Sequence, residues 1–94
     1  MARVHELKTW PEYFHKVRTG EKKFELRKND RDFHSGDLLL LQEWSYTTGY
    51  TGETLLAKIT YILNNETTDL PGLLNGYSLL SIEVIQENYY RDAP

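Results

Sequence analysis

Apolar and polar positions alternate through most of the chain, and one short segment near the start follows a helical period instead. Residues 3–9, RVHELKT, place Val4 and Glu6 on one face and His5 and Leu7 on the other, the pattern of a first strand. In TWPE, Thr9 stands as a helix cap with Glu12 three residues later, the spacing of a capping box. Pro11 falls in the first turn, where its missing N–H does no harm. Trp10, Tyr13, Phe14 and Val17 form a helical stripe, which predicts a helix over residues 10–18 with that stripe toward the core; Gly20 ends it.

Beyond Gly20 the period returns to two. In KKFELR, Phe24 and Leu26 point one way and Lys23, Glu25 and Arg27 the other. RKND and HSGD carry turn chemistry, and LLLLQEW between residues 38 and 44 is apolar enough to be buried on both faces. TTGYTGE is a glycine-punctuated hairpin tip. TLLAKITYIL is the longest predicted strand, with Leu55, Ala57, Ile59, Tyr61 and Leu63 on one face. NNETTDLPGLLNG reads as a loop, YSLLSIEVIQE as the last strand, and NYYRDAP as a tail without a clear element. The sum is a mainly β, α+β chain: one N-terminal helix and about five strands, spaced as in a small barrel or sandwich.

Length and composition narrow this further. Ninety-four residues with 39% hydrophobic content suit one domain, residues 1–94, around one core. There is no cysteine, which excludes disulfides and thiolate chemistry and fits a reducing cytoplasm. No stretch has the length of a membrane span, and MARVHELKTW does not read as a signal peptide. His5, His15 and His34 have no metal-ligand spacing, so neither metal nor cofactor is expected. His5 reads as a hydrogen-bonded structural histidine, His15 as exposed, and His34, Ser35 and Asp37 as turn formers.

Charge changes the picture most. The net charge is −3, too acidic for a broad nucleic-acid footprint. Yet residues 16–31 hold Lys16, Arg18, Lys22, Lys23, Arg27, Lys28 and Arg31 against Glu21, Glu25 and Asp30. A localised positive site follows. Glu25 beside Arg27 can orient the guanidinium for a phosphate or a carbonyl edge. Alternating charges on a strand are also what an ordinary solvated face looks like, and composition alone favours that bland reading. Trp44, Tyr46 and Tyr50 flank the hairpin; Trp44 reads as a cap on the open end of a barrel, and Tyr46 and Tyr50 as more open to stacking on a base.

The spacing Gly20-x-Lys22-x-x-Glu25-x-Arg27, followed by SGD at residues 35–37 and an apolar strand, resembles the ASCH family, the activating-signal-cointegrator homology branch of the PUA-like superfamily. HELKTWPEYF, FELRKNDRDF, LQEW, YTG and GYSLLSI extend the likeness over most of the chain, toward a small uncharacterised single-domain branch seen in bacteria and phages. The resemblance implies a compact PUA-like β-barrel with a cleft beside the first helix, lined at Lys22, Glu25 and Arg27. It also implies a ligand that is RNA, a nucleotide or a modified nucleoside.

Three functions follow as expectations. In a binding module, Lys22 and Arg27 meet phosphate or a base edge, Glu25 orients Arg27, and Tyr50 stacks. In an amidohydrolase-like enzyme on a modified nucleoside, Lys22 matches the family's catalytic lysine, while Glu25 occupies the position of its threonine nucleophile. A carboxylate there would act as general base on water with Lys22 at the oxyanion, and Glu53 or Glu83 are candidates for the distant glutamate. In a structural or partner-binding domain the charges are incidental, and the apolar run 38–41 pairs between chains as an edge strand.

Overall fold

The computed structural model describes residues 2–65, 71–73 and 75–89. The loop predicted between residues 64 and 76 and the tail after residue 88 therefore lie partly outside the described residues. Six elements follow in chain order: β1 (Val4–Thr9), α1 (Pro11–Thr19), β2 (Phe24–Lys28), β3 (Leu38–Ser45), β4 (Gly49–Asn64) and β5 (Tyr77–Glu87). The strands make one five-stranded sheet in the order β1-β3-β4-β5-β2. β1 and β3 pair in parallel, and the other neighbours are antiparallel. The sheet curls into a half-barrel with α1 packed against it. This bears out the mainly β reading with one helix near the start.

The curl has a local cause. Three register shifts interrupt the ladders: β4 carries extra residues opposite Gln42–Trp44 of β3, β5 carries the extra Ile85 at Leu56/Ala57, and β4 carries the extra Thr60 at Ile59/Tyr61. Each places extra residues on one strand, which bends it and increases its twist. The shift at Thr60 also corrects a sequence expectation. Leu55, Ala57 and Ile59 are fully buried, but Tyr61 is exposed, because the added residue turns the alternation over and brings Ile62 to the core instead.

The core joins Leu39 and Leu41 of β3, Leu55, Ala57 and Ile59 of β4, Leu80 and Ile82 of β5, Leu7 of β1, and Phe14 and Val17 of α1. Full burial of such a side chain contributes about 2 kcal/mol relative to exposure. Leu40 is buried on the opposite face of β3, as its unbroken apolar run predicts. β3 lies between β1 and β4, so residues 38–41 form no sheet edge for another chain; that expectation is corrected.

α1 starts differently from the capping-box reading. Its N-cap is Trp10, with no side-chain cap bond and Pro11 at the first position. Thr9 remains in β1, and its hydroxyl donates to the Leu7 carbonyl at 3.4 Å. Phe14 and Val17 face the core, but Trp10 and Tyr13 are half exposed, so only part of the predicted stripe packs inward. At the far end, Gly20 adopts φ 85°, a left-handed turn that glycine enters without penalty. Its N–H donates to Val17 O, and the Lys22 N–H donates to Lys16 O, folding the chain back toward the start of the helix.

Candidate functional site

The fold-back after Gly20 delivers β2 to one edge of the sheet, while β1 forms the other edge. Which face of β2 turns inward is set by its partner. Glu25 pairs with Leu80, a core residue, whereas Phe24 and Leu26 pair with Ser81 and Leu79. The face that carries Glu25 therefore turns inward, a choice the alternation alone left open. Glu25 is only 3% exposed, and Phe24 and Leu26 are 46% and 53% exposed. An alternating strand reads the same whichever face is buried, and here the register with β5 decides.

A buried carboxylate needs partners, and Glu25 has two cations. Lys22 Nζ lies 2.8 Å from Oε1, and Arg27 Nε lies 3.0 Å from Oε2. Lys22 Nζ also donates to Phe24 O at 2.6 Å and sits over the rings of Phe24 and Tyr13, 4.9 Å and 5.8 Å from their centroids. Arg27 Nη2 donates to Lys8 O at 3.0 Å, which ties β2 to β1 across the open seam. Further along, Arg31 Nη1 bridges the same gap to Glu6 O at 2.9 Å. The three residues singled out by spacing thus converge, with Glu25 as the fixed centre.

They converge in a cleft of about 670 Å³ at the seam, beside the first turn of α1. Four cationic side chains line it, Lys8, Lys16, Lys22 and Arg27, against two carboxylates, Glu21 and Glu25. Its apolar walls are Trp10, Tyr13, Phe24 and Leu26. In a chain of net charge −3 this is a cationic hollow with aromatic sides. Lys16 pairs loosely with Glu21 at 3.4 Å on its rim.

Other residues fall elsewhere. Lys23 precedes β2 and lines a separate hollow on the other side of α1, together with Glu83. Glu53 pairs with Arg18 at 3.1 Å. Neither Glu53 nor Glu83 reaches the cleft. Tyr50 does not line it either; it joins the site only through Lys8, whose Nζ lies 5.9 Å from the Tyr50 centroid and 4.5 Å from that of Trp44. Trp44 lies half buried against Trp10 and Tyr46, with centroids 5.6 Å and 4.8 Å away.

Sequence reasoning missed Lys8, Trp10, Tyr13 and Lys16 as cleft residues. Lys8 followed the polar face of an ordinary strand, and the two aromatics fitted a core stripe. One signal was present: Trp10 directly precedes Pro11, and the residue before a proline is biased out of the helix.

A second buried carboxylate has a different character. Asp37 accepts from His5 Nε2 at 2.9 Å and from the backbone N–H groups of His34 and Arg3 at 3.0 Å and 3.2 Å. Burial pushes its pKa up, but these three hydrogen bonds and the charge of His5 outweigh that and hold it below the usual 3.8. His5 is the buried, hydrogen-bonded histidine expected, packed edge-on against Phe33. His15 is exposed and reaches Glu43 at 3.0 Å. Among the described residues no three His, Asp or Glu side chains cluster as a metal site. No helix among them is long and apolar enough to cross a membrane.

A five-stranded half-barrel with one short helix and a basic, aromatic-walled cleft at its seam defines a small single-sheet domain. The chain belongs to the family described as Domain of unknown function (DUF3850), whose model matches residues 4–82 and so includes every cleft residue. It is 41% identical over 80 residues to the "Uncharacterized 12.9 kDa protein in GpA 3'region" of Escherichia phage P2, spanning 85% of this chain and 68% of that protein. The crystal structure of hypothetical protein PH0355 has a similar fold. Its TM-score is 0.57 over 87% of this chain and 99% of that one, at 19% identity, a likeness of fold alone.

Proposed function

We propose that this domain binds RNA or a nucleotide-like ligand in the seam cleft. The observation that carries this reading is the set of four cations and aromatic walls around the buried Glu25. Glu25 spends both oxygens on Lys22 and Arg27, which holds these cations in place before any ligand arrives. Lys22, Arg27, Lys8 and Lys16 would meet phosphate, and the exposed faces of Trp10, Tyr13 and Phe24 would take a base. The net negative charge of the chain favours a small or single-stranded ligand over a duplex. The resemblance to the ASCH branch of the PUA-like superfamily, and a cytoplasmic setting for a cysteine-free chain, agree with this reading.

The hydrolytic alternative has less support. A general base needs a free lone pair aimed at water, and each Glu25 oxygen already faces a cation. The other carboxylates considered for it, Glu53 and Glu83, lie outside the cleft. Incubation with an acylated cytidine addresses it directly: turnover abolished in Lys22→Ala would favour the enzyme.

Titration with nucleoside monophosphates and short RNA strands, followed by amide and side-chain NMR shifts, tests the binding reading. Shifts at Lys8, Lys22, Glu25 and Arg27, lost in Arg27→Ala, are expected. Unmoved signals from residues 8–27 at millimolar ligand would overturn it.

A further inference from the structure

The cleft does not end at Trp10. That ring lines the cleft and also touches a second group of rings outside it, with centroids 5.6 Å from Trp44 and 5.3 Å from Tyr46. Residues Lys8, Trp44 and Tyr50 share the face of the sheet that points away from the core, since Lys8 pairs with Gln42 and Trp44 with Tyr50. Tyr46 tops this group and is 83% exposed. A ring cluster that served only to bury itself would not leave its outermost member so open to water.

Tyr46 is also held firmly. The hairpin that carries it is tied by Ser45 Oγ, which accepts from the Thr48 N–H at 3.1 Å and lies 2.8 Å and 3.1 Å from the hydroxyls of Thr48 and Thr47. Gly49 closes the turn at φ 67°. An exposed aromatic on a pinned turn loses little freedom when a ligand stacks on it.

Charge indicates which ligand. Lys8 is common to the two regions: its side chain lines the cleft, and its ammonium lies over Trp44 and Tyr50. A cation between two aromatic surfaces matches a phosphate between two bases, the repeating chemistry of a single strand. An apolar peptide would leave Lys8 without a counter-charge.

We infer that Trp44 and Tyr46 form a second base-stacking subsite, joined to the cleft through Trp10 and Lys8, so that the ligand is a single-stranded oligonucleotide and not a lone nucleotide. This inference rests on the proposed nucleotide-binding role of the cleft. The strand enters at Lys22 and Arg27, passes its next phosphate over Lys8, and stacks a following base on Tyr46. One stacked base supplies a gain in affinity of about tenfold.

Calorimetric titration with adenosine 5′-monophosphate, with ribo-triadenylate and with deoxyribo-triadenylate tests it, in the wild type and in Tyr46→Ala, Tyr46→Phe and Arg27→Ala. The trinucleotide is expected to bind about tenfold more tightly than the mononucleotide. Tyr46→Ala should bring that ratio close to one, and Tyr46→Phe should preserve it. Equal gains for the two trinucleotides support a general single-strand site; a gain confined to the ribo strand supports the site with RNA as its ligand. A mononucleotide that binds in an Arg27-dependent way, with a ratio of one in the wild type or a ratio untouched by Tyr46→Ala, overturns this inference and leaves the cleft reading standing. Failure of all three probes to bind the wild type overturns both.

Discussion

Two buried carboxylates, Glu25 and Asp37, are almost equally hidden from water and serve opposite purposes. Asp37 is held by two backbone N–H groups and a buried histidine, all supplied by the start of β1 and the turn before β3. Its own backbone continues the knot, since the Ile59 N–H donates to Asp37 O and so draws in β4. Neither Asp37 nor His5 lines the cleft. Glu25 is held by two long cationic side chains, and both line the cleft. A carboxylate fixed by backbone secures the strands; one fixed by side-chain cations secures those cations, here at the cleft. Burial alone does not separate the two, and the nature of the donors does.

The contrast can be broken most directly at Asp37. Asp37→Ala leaves two backbone N–H groups and His5 buried without their acceptor, a loss of about 3 kcal/mol. For a domain of this size that lowers the melting temperature by roughly 15 °C, measured by calorimetry. A drop no larger than that of an exposed control substitution would mean that the cluster holds nothing together. Arg27→Ala should cost less, about 1–2 kcal/mol, because its side chain is partly solvated. It should weaken nucleotide binding about tenfold, as loss of a charge-assisted contact does. Arg27→Lys retains charge but not the reach to Lys8 O, so it should recover part of the binding and little of the stability. The opposite ranking of the Asp37 and Arg27 variants in thermal stability would dissolve the comparison.

Acid should sharpen it. The folded pKa of Asp37 lies below its usual 3.8, so its contribution is complete above that value and is lost as the pH falls through the lower folded value. Denaturant midpoints between pH 6 and pH 2.5 should therefore decline on the acid side, with a shallower decline in Asp37→Asn. The smallest expected effect is that of salt. Binding in the cleft should weaken with ionic strength, by a log–log slope of about −0.7 for each phosphate engaged. Thermal stability should change little, because the Asp37 cluster is shielded from solvent ions. Salt-independent binding would indicate a ligand without phosphate.

The sequence carried most of the architecture, because strand periodicity and glycine punctuation are local signals. It placed the helix, ended it at Gly20, and marked Leu39, Leu41, Leu55, Ala57 and Ile59 as buried. It failed where a long-range partner decides. The extra residue at Thr60 turns Tyr61 outward, and only the pairing with β5 reveals it. The inward turn of Glu25 depends on Leu80, fifty-five residues away. The residues Lys22, Glu25 and Arg27 were legible through the family resemblance, but the other half of the cleft was not. Lys8 and Trp10 come to it across the seam, where no ladder hydrogen bond joins β1 to β2.

Among the described strands that seam leaves β1 and β2 as the rims of the sheet, and strand rims invite a strand from a neighbouring molecule. Arg27 and Arg31 reach across and occupy the carbonyls of Lys8 and Glu6, alternate positions along the rim of β1. The two guanidiniums thus clasp two carbonyls that a neighbouring strand would otherwise use. Because Arg27 also lines the hollow, a ligand that drew it away would uncover the Lys8 carbonyl to such a strand.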